Sequence, residues 1–254
     1  MNTHWSTAFI LTLFLTLAPN KANAEEIILG FFDMEPHIFI DRQSGQAGGV
    51  IPDFLHNHLA PAMGVKIKLM PMSLSRVLAE MKQGSIAGAV MFGYTTERAA
   101  AYQYPKHHFS KMQSAIAVSL EHPLKTVDNR DDLNSIEIAY IKDAIITPFV
   151  STPTLNWRWL TGNNAWQRNL KMLHAGRVEA VYSPQKVNLI YAANMLGIHN
   201  KIRVIPLPEE AQRLYSLFSK HPKYRDLSER YDKAMQEIDG RTIYHQLMTN
   251  FLKP

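Results

Sequence analysis

The sequence predicts an α/β protein, and three observations carry that prediction. Short β-branched runs alternate with stretches whose apolar residues recur every three or four positions, giving the order β, α, β, α, β. Glycines stop the helical stretches, at Gly64, Gly84, Gly176 and Gly197. The second half of the chain then repeats the alternation of the first, which points to two units of similar build rather than a β-sandwich.

The opening strand is Glu25 to Phe32, short and apolar with Ile27 and Ile28. Turn chemistry follows at Pro36, at Asp41 to Gly45 and at Gly48-Gly49. Ile51, Leu55, Leu59 and Met63 recur every four residues and predict a helix that Gly64 ends. Val65 to Met70 alternates as a strand. Ser73 or Ser75 then caps a helix with Val77, Leu78 and Met81 inward, and Ile86 to Met91 is a buried strand.

In the second half, Ile136 to Ile141 is a strand, followed by a helix from about Ala165 to Ala175 and a strand from Val178 to Ser183. Asn188 to Leu196 is a helix, Ile202 to Pro206 a strand, and Leu227 to Leu252 is helical by pattern. Leu78-x-x-Met81-x-x-Gly84-x-Ile86 has the spacing of Leu170-x-x-Leu173-x-x-Gly176-x-Val178. Both segments read as a helix end, a glycine cap and a strand entering a sheet.

Composition removes whole classes of function. The 254 residues contain no cysteine, so disulfide frameworks, thiolate metal sites and cysteine nucleophiles are out. Ala8 to Ala18 is an eleven-residue apolar run, too short to span a bilayer, broken by Pro19 and followed by Ala22-Asn23-Ala24. This predicts a signal peptide over residues 1–24, cleaved after Ala24, although no Lys or Arg precedes the run. Cleavage removes only Lys21 among the charged residues and leaves 26 basic and 22 acidic side chains, a net +4. These charges are scattered rather than gathered in a stripe, so no nucleic-acid surface is expected. Nor is a metal site: His56 and His58 are two apart on a helix and point to different faces.

Ligands of open parallel sheets bind beyond the carboxyl ends of the strands. The sequence offers such a corner at Phe92-Gly93-Tyr94-Thr95-Thr96-Glu97-Arg98, where Thr95 or Thr96 caps a helix. A cation in the first turn opposes the helix dipole, so Arg98 needs another partner. A ligand carboxylate held in a bidentate pair is one reading, and a surface pair with Glu97 or another acid is the other. No nucleophile–base pair emerges from the spacing, so no catalytic residue and no cofactor are expected.

At Gly84-Ser85-Ile86, Thr95-Thr96-Glu97-Arg98 and Tyr104-Pro105 the chain resembles the bacterial extracellular solute-binding proteins of family 3, the type II periplasmic binding proteins. The likeness continues through Glu35-Pro36-His37, Gly48 to Phe54, Gly176 to Ala180 and Tyr215 to Lys220. The resemblance implies two α/β lobes joined by two crossing strands that close on a small ligand. Lobe 1 would comprise 25–109 and 221–254 and lobe 2 110–220, with crossings near Phe109-Ser110 and Lys220-His221.

It further implies that Arg98 pairs with a ligand carboxylate beside Thr95 and Thr96, with Phe92 and Tyr94 as aromatic walls and with Met91 and Gly93 at positions where the family often carries serine or another hydrogen-bonding residue. Arg76 matches a branch of the family in which an arginine after Pro71 lies near the cleft. The second-lobe acid that holds an ammonium falls at about Pro184, near Ser183. A buried ammonium without a counter-charge costs several kcal/mol, so Glu35 and Asp143 are the candidate acids, with His37 beside the first. The implied function is a periplasmic, monomeric protein capturing a small polar molecule for an inner-membrane ABC permease. The alternatives are a sensor feeding a signalling receptor and, remotely, a periplasmic enzyme using Thr95, Glu35 and His37.

Overall fold

The computed structural model describes residues 24–41, 43–142, 146–160 and 165–253. The expected signal peptide up to Asn23 and the candidate Asp143 lie outside the described residues.

The first lobe begins with β1 (Glu25–Phe31), a short hairpin of β2 (Phe39–Ile40) and β3 (Ala47–Gly48), and a long helical segment. That segment runs from α1 (Val50–Asp53) through a π-helical stretch, Phe54–Leu59, into α2 (Ala60–Met63). The widened turns lead directly into Pro61, which has no N–H to bond back to Asn57 and whose ring would crowd its carbonyl. β4 (Val65–Pro71), α3 (Leu74–Gln83), β5 (Gly88–Gly93), α4 (Thr96–Ala101), β6 (Tyr102–Gln103) and β7 (Ser110–Met112) complete this half of the lobe. Ser73 is the cap of α3, accepting from the Arg76 amide at 3.4 Å, and Gly84 closes that helix at φ +76°.

The second lobe contains β8 (Ala115–Ser119), β9 (Glu137–Ile141), β10 (Asn156–Leu160), α5 (Ala165–His174), β11 (Ala180–Ser183), α6 (Lys186–Met195) and β12 (Ile202–Pro206). The chain then returns through β13 (Gln212–Ser219) to α7 (Leu227–Glu237) and α8 (Gly240–Phe251) of the first lobe. Asp239, in the left-handed region at φ +49°, divides the helical C-terminal third into these two helices.

Each lobe is one sheet covered on both faces by helices and loops. The first has strand order β4-β1-β5-β13-β6 with β7 on β13, and the second β10-β9-β11-β8-β12. Three strands in each are parallel, as the βαβ pattern requires. The sheets are nonetheless mixed, because β13 runs antiparallel to β5, and β8 runs antiparallel to both β11 and β12. The reversed strands β8 and β13 are those that enter each lobe from the other. Leu227, Tyr231, Tyr244 and Met248 share a core with Ile27, Leu29 and Phe54, so the C-terminal helices belong to the first lobe.

The crossings differ from the sequence expectation. β7 and β13 both pair within the first sheet, so the chain changes lobe at Gln113-Ser114 and at Leu207 to Ala211, not near Phe109-Ser110 and Lys220-His221. The assignment of 110–220 to lobe 2 is corrected accordingly. An apolar run such as Leu214 to Ser219 reads the same in either sheet, so its pattern carries no information about which sheet it joins. The two crossings bond to each other: the Leu207 amide donates to Ser114 O at 3.0 Å, and the Gln113 side-chain amide donates to Leu207 O at 2.9 Å.

Candidate functional site

The corner after β5 is built by a distortion. Met91 sits at φ +71°, a left-handed conformation rare for a residue with a side chain, and the β5–β13 register shifts between Tyr215 and Leu217. Past this bulge Phe92 is buried, while Gly93 is half-buried and Tyr94 is 60% exposed. Thr95 has extended backbone and caps α4, its Oγ1 accepting from the Arg98 amide at 3.1 Å. Thr96 is the exposed first residue of that helix.

The cap places Arg98 so that its side chain folds back over the strand end. Its Nη1 donates to Gly93 O at 3.2 Å, and its guanidinium carbon lies 5.4 Å from the Phe92 ring centroid. The Tyr104 hydroxyl donates to the same Gly93 carbonyl at 2.7 Å, and Tyr94 packs on Tyr104 at 5.0 Å. Arg98 is half-buried and forms no ion pair with an acid among the described residues, Glu97 included. A guanidinium held on one edge by a carbonyl and on one face by a ring is oriented in advance. Its remaining N–H groups suit a planar anion.

The other sequence candidates separate. Arg76 is exposed and pairs with Glu80 at 3.4 Å, one turn away on α3. Glu35 is exposed and precedes a cis proline, Pro36. Ser183 is fully buried, and its hydroxyl is engaged within its own turn, donating to Gln185 O at 2.9 Å and accepting from Gln185 N at 3.1 Å.

His37 is a bridge between lobes. Its loop is fixed by Gly49, whose φ of +99° and approach to His37 O leave no room for a Cβ, which would fall 2.6 Å from that oxygen. The imidazole is buried, with Nε2 donating to Gln185 Oε1 at 2.8 Å and Nδ1 accepting from the Tyr244 hydroxyl. Burial pushes its pKa down to about 4, against the upward pull of the Gln185 hydrogen bond, so the ring is neutral. Gln185 belongs to the second lobe, at the start of α6, and Tyr244 to α8 of the first. Along the same seam Tyr191 stacks on Phe251 at 5.8 Å, and the Asn194 side chain donates to Leu252 O at 2.6 Å.

Two features escape sequence reasoning. Gln185 shows only as a polar residue before a helix. Glu209, on the second crossing, accepts from the Thr147 hydroxyl at 2.6 Å and from the Ser114 hydroxyl, and Thr147 in turn accepts from Tyr182. This half-buried carboxylate is an acid at the hinge, and its only signal in the chain is Glu209-Glu210 after a strand.

Comparison with known proteins decides the family. Residues 27–254 match the bacterial extracellular solute-binding proteins, family 3. The chain belongs to that family. Family 3 and its structural relatives are binding proteins, not enzymes. No curated protein matches the chain. Among solved structures, an ancestral cationic amino acid solute-binding protein superposes with a TM-score of 0.71 at 18% identity, over 90% of this chain and 96% of that one. The VFT2 domain of Bordetella pertussis BvgS gives a TM-score of 0.66 at 15% identity, over 89% and 92%. A histidine kinase sensor domain with similarity to periplasmic binding proteins gives 0.63 at 17%, over 91% and 97%. These likenesses establish the two-lobed family fold. Among the described residues, no helix is long and apolar enough to cross a membrane.

Proposed function

We propose that this family 3 protein captures a small, carboxylate-bearing molecule, amino-acid-like or another organic anion, in the cleft between its lobes and delivers it to an ABC-type importer. The observation that carries this reading is Arg98, oriented by Gly93 O and the Phe92 ring and without an acidic partner among the described residues. Tyr94 supplies an exposed aromatic wall beside it, and Thr95 and Thr96 supply hydroxyls. The protein works as an exported, periplasmic monomer, so its mature N-terminus is Glu25, which intact mass reads directly. An ammonium on the ligand needs an acid from the second lobe or the hinge, and Glu209 joins Glu35 and Asp143 as a candidate.

A sensing role is the second reading, supported by the BvgS domain and the kinase sensor domain among the structural relatives. In that role the same cleft reports occupancy to a membrane receptor without transport. Capture itself is tested by thermal shift of the wild type and Arg98→Ala against amino acids, di- and tricarboxylates, polyamines and short peptides. A ligand at about 1,000 times its dissociation constant adds roughly 4 kcal/mol, or on the order of 8–16 °C for a chain of this size. The expected result is a shift by a carboxylate that Arg98→Ala abolishes while remaining folded. A shift indifferent to Arg98 would contradict the carboxylate reading.

A further inference from the structure

A cavity of about 730 Å³ opens between β7, α6 and α8, on the seam where the two lobes meet. No residue from Phe92 to Arg98 lines it, so it is separate from the corner that carries the proposed cleft. Its floor is apolar, with Phe109, Val187, Ile190 and Met248. Around that floor stand Lys111, Lys186, Arg241 and three histidines, His37, His108 and His245, against a single acid, Asp239.

The charges there are unbalanced by design of the backbone. Lys111 on β7 lies directly opposite Arg213 on β13 in the strand register, and like charges in that position repel. Neither of them, nor Lys186 or Arg241, forms an ion pair with an acid among the described residues. The nearby acid Asp232 is turned to His107, at 3.0 Å. His108 registers the imbalance: burial lowers its proton affinity first, and Arg241, Arg213, Lys111 and His107 all lower it further. A cation-rich rim over an apolar floor suits a molecule with one anionic end and one greasy end.

We propose that this cavity is a second binding site, taking an amphiphilic organic anion: an aryl or alkyl group that carries a phosphate, sulfonate or carboxylate. Its anionic end sits among Lys111, Lys186 and Arg241, and its apolar body rests on Val187, Ile190 and Met248. Because the walls come from both lobes, an occupant ties α6 to α8 across the seam. The proposal is independent of the cleft's ligand.

Calorimetric titration of the whole protein with naphthyl phosphate tests it, with inorganic phosphate and naphthol as the two halves of the probe. The expected result is one-to-one binding that weakens with added salt and is at least about tenfold tighter than for either half. Lys111→Gln/Arg241→Gln lowers that affinity by about tenfold or more, and Lys186→Gln lowers it from the α6 side, each with an unchanged circular dichroism melt. Absence of binding, equal binding of naphthol, or affinity untouched by both variants would overturn the proposal. So would loss of binding in Arg98→Ala, which would put the probe in the cleft. Vesicles of phosphatidylglycerol form the last arm: sedimentation of the protein with them through Lys111 and Arg241, without affinity for naphthyl phosphate, would assign the cations to a lipid surface and overturn the soluble ligand.

Discussion

The turn after β5 and the turn after β11 occupy equivalent places in the two lobes. Each follows a helix closed by a left-handed glycine, Gly84 or Gly176, and a strand that is parallel to one neighbour and antiparallel to the other. Each leads into a helix, α4 or α6. Their side chains nevertheless serve different ends. In the first lobe Thr95 caps its own helix and leaves Arg98 oriented beside Phe92. In the second, Gln185 offers its helix no side-chain cap and reaches into the other lobe to His37, while Lys186 N donates to Gln113 O at 2.6 Å. One turn orients a guanidinium without an acidic partner among the described residues, the feature on which the proposed ligand reading rests, and the other holds the lobes together. Equal topology does not give equal chemistry; the three or four residues at the strand end decide it.

The strongest way to break this comparison is to remove the bridge. His37→Ala leaves a cavity and two orphaned partners in a buried site, with an expected cost of about 3–4 kcal/mol in urea unfolding. A cost within about 0.5 kcal/mol, typical of an exposed site, would show that the seam does not depend on it. Acid sharpens the same point. His37 is held near pKa 4 when folded and returns to its ordinary value of 6.5 when unfolded, so the unfolded chain binds the extra proton between those values. Stability at His37 is therefore full above pH 6.5 and lost as pH falls towards 4, by roughly 3 kcal/mol. The difference between wild type and His37→Gln across that window isolates this group from the carboxylates; a constant difference would contradict the assignment. The two glycine caps give the smallest contrast. Gly176→Ala meets no neighbour within 4 Å and costs about 1–2 kcal/mol from its left-handed backbone alone. Gly84→Ala also drives a methyl to 2.5 Å from the His221 ring, so its loss exceeds that of Gly176→Ala in the same denaturation assay.

The helices with an apolar stripe and a glycine stop were legible in the chain, as were β1, β4, β9 and β12. Thr95 as a cap and Arg98 as an out-of-place cation were legible too, because helix starts obey local rules. β8 and β10 were not read. The first is a short apolar run from Ala115, and the second, Asn156–Leu160, is a short, largely exposed edge strand in which only four residues alternate. The crossings were misplaced by a strand's length because sheet membership is a long-range choice. His37 was legible as a candidate beside Glu35, but its partners Gln185 and Tyr244 lie 148 and 207 positions away and leave no periodic trace. Lys111 and Arg213 likewise become neighbours only through the β7–β13 register.

The measurement closest to the central claim is calorimetric titration of the best carboxylate from the thermal-shift screen into wild type, Arg98→Ala and Gln185→Ala. The account predicts about a 100-fold loss of affinity for Arg98→Ala, the usual scale for removing one side of a desolvated charge pair. It predicts a much smaller change for Gln185→Ala, whose effect appears instead as lost stability. The reverse order, with Gln185 decisive and Arg98 indifferent, would move the ligand-reading turn to the second lobe and contradict the account.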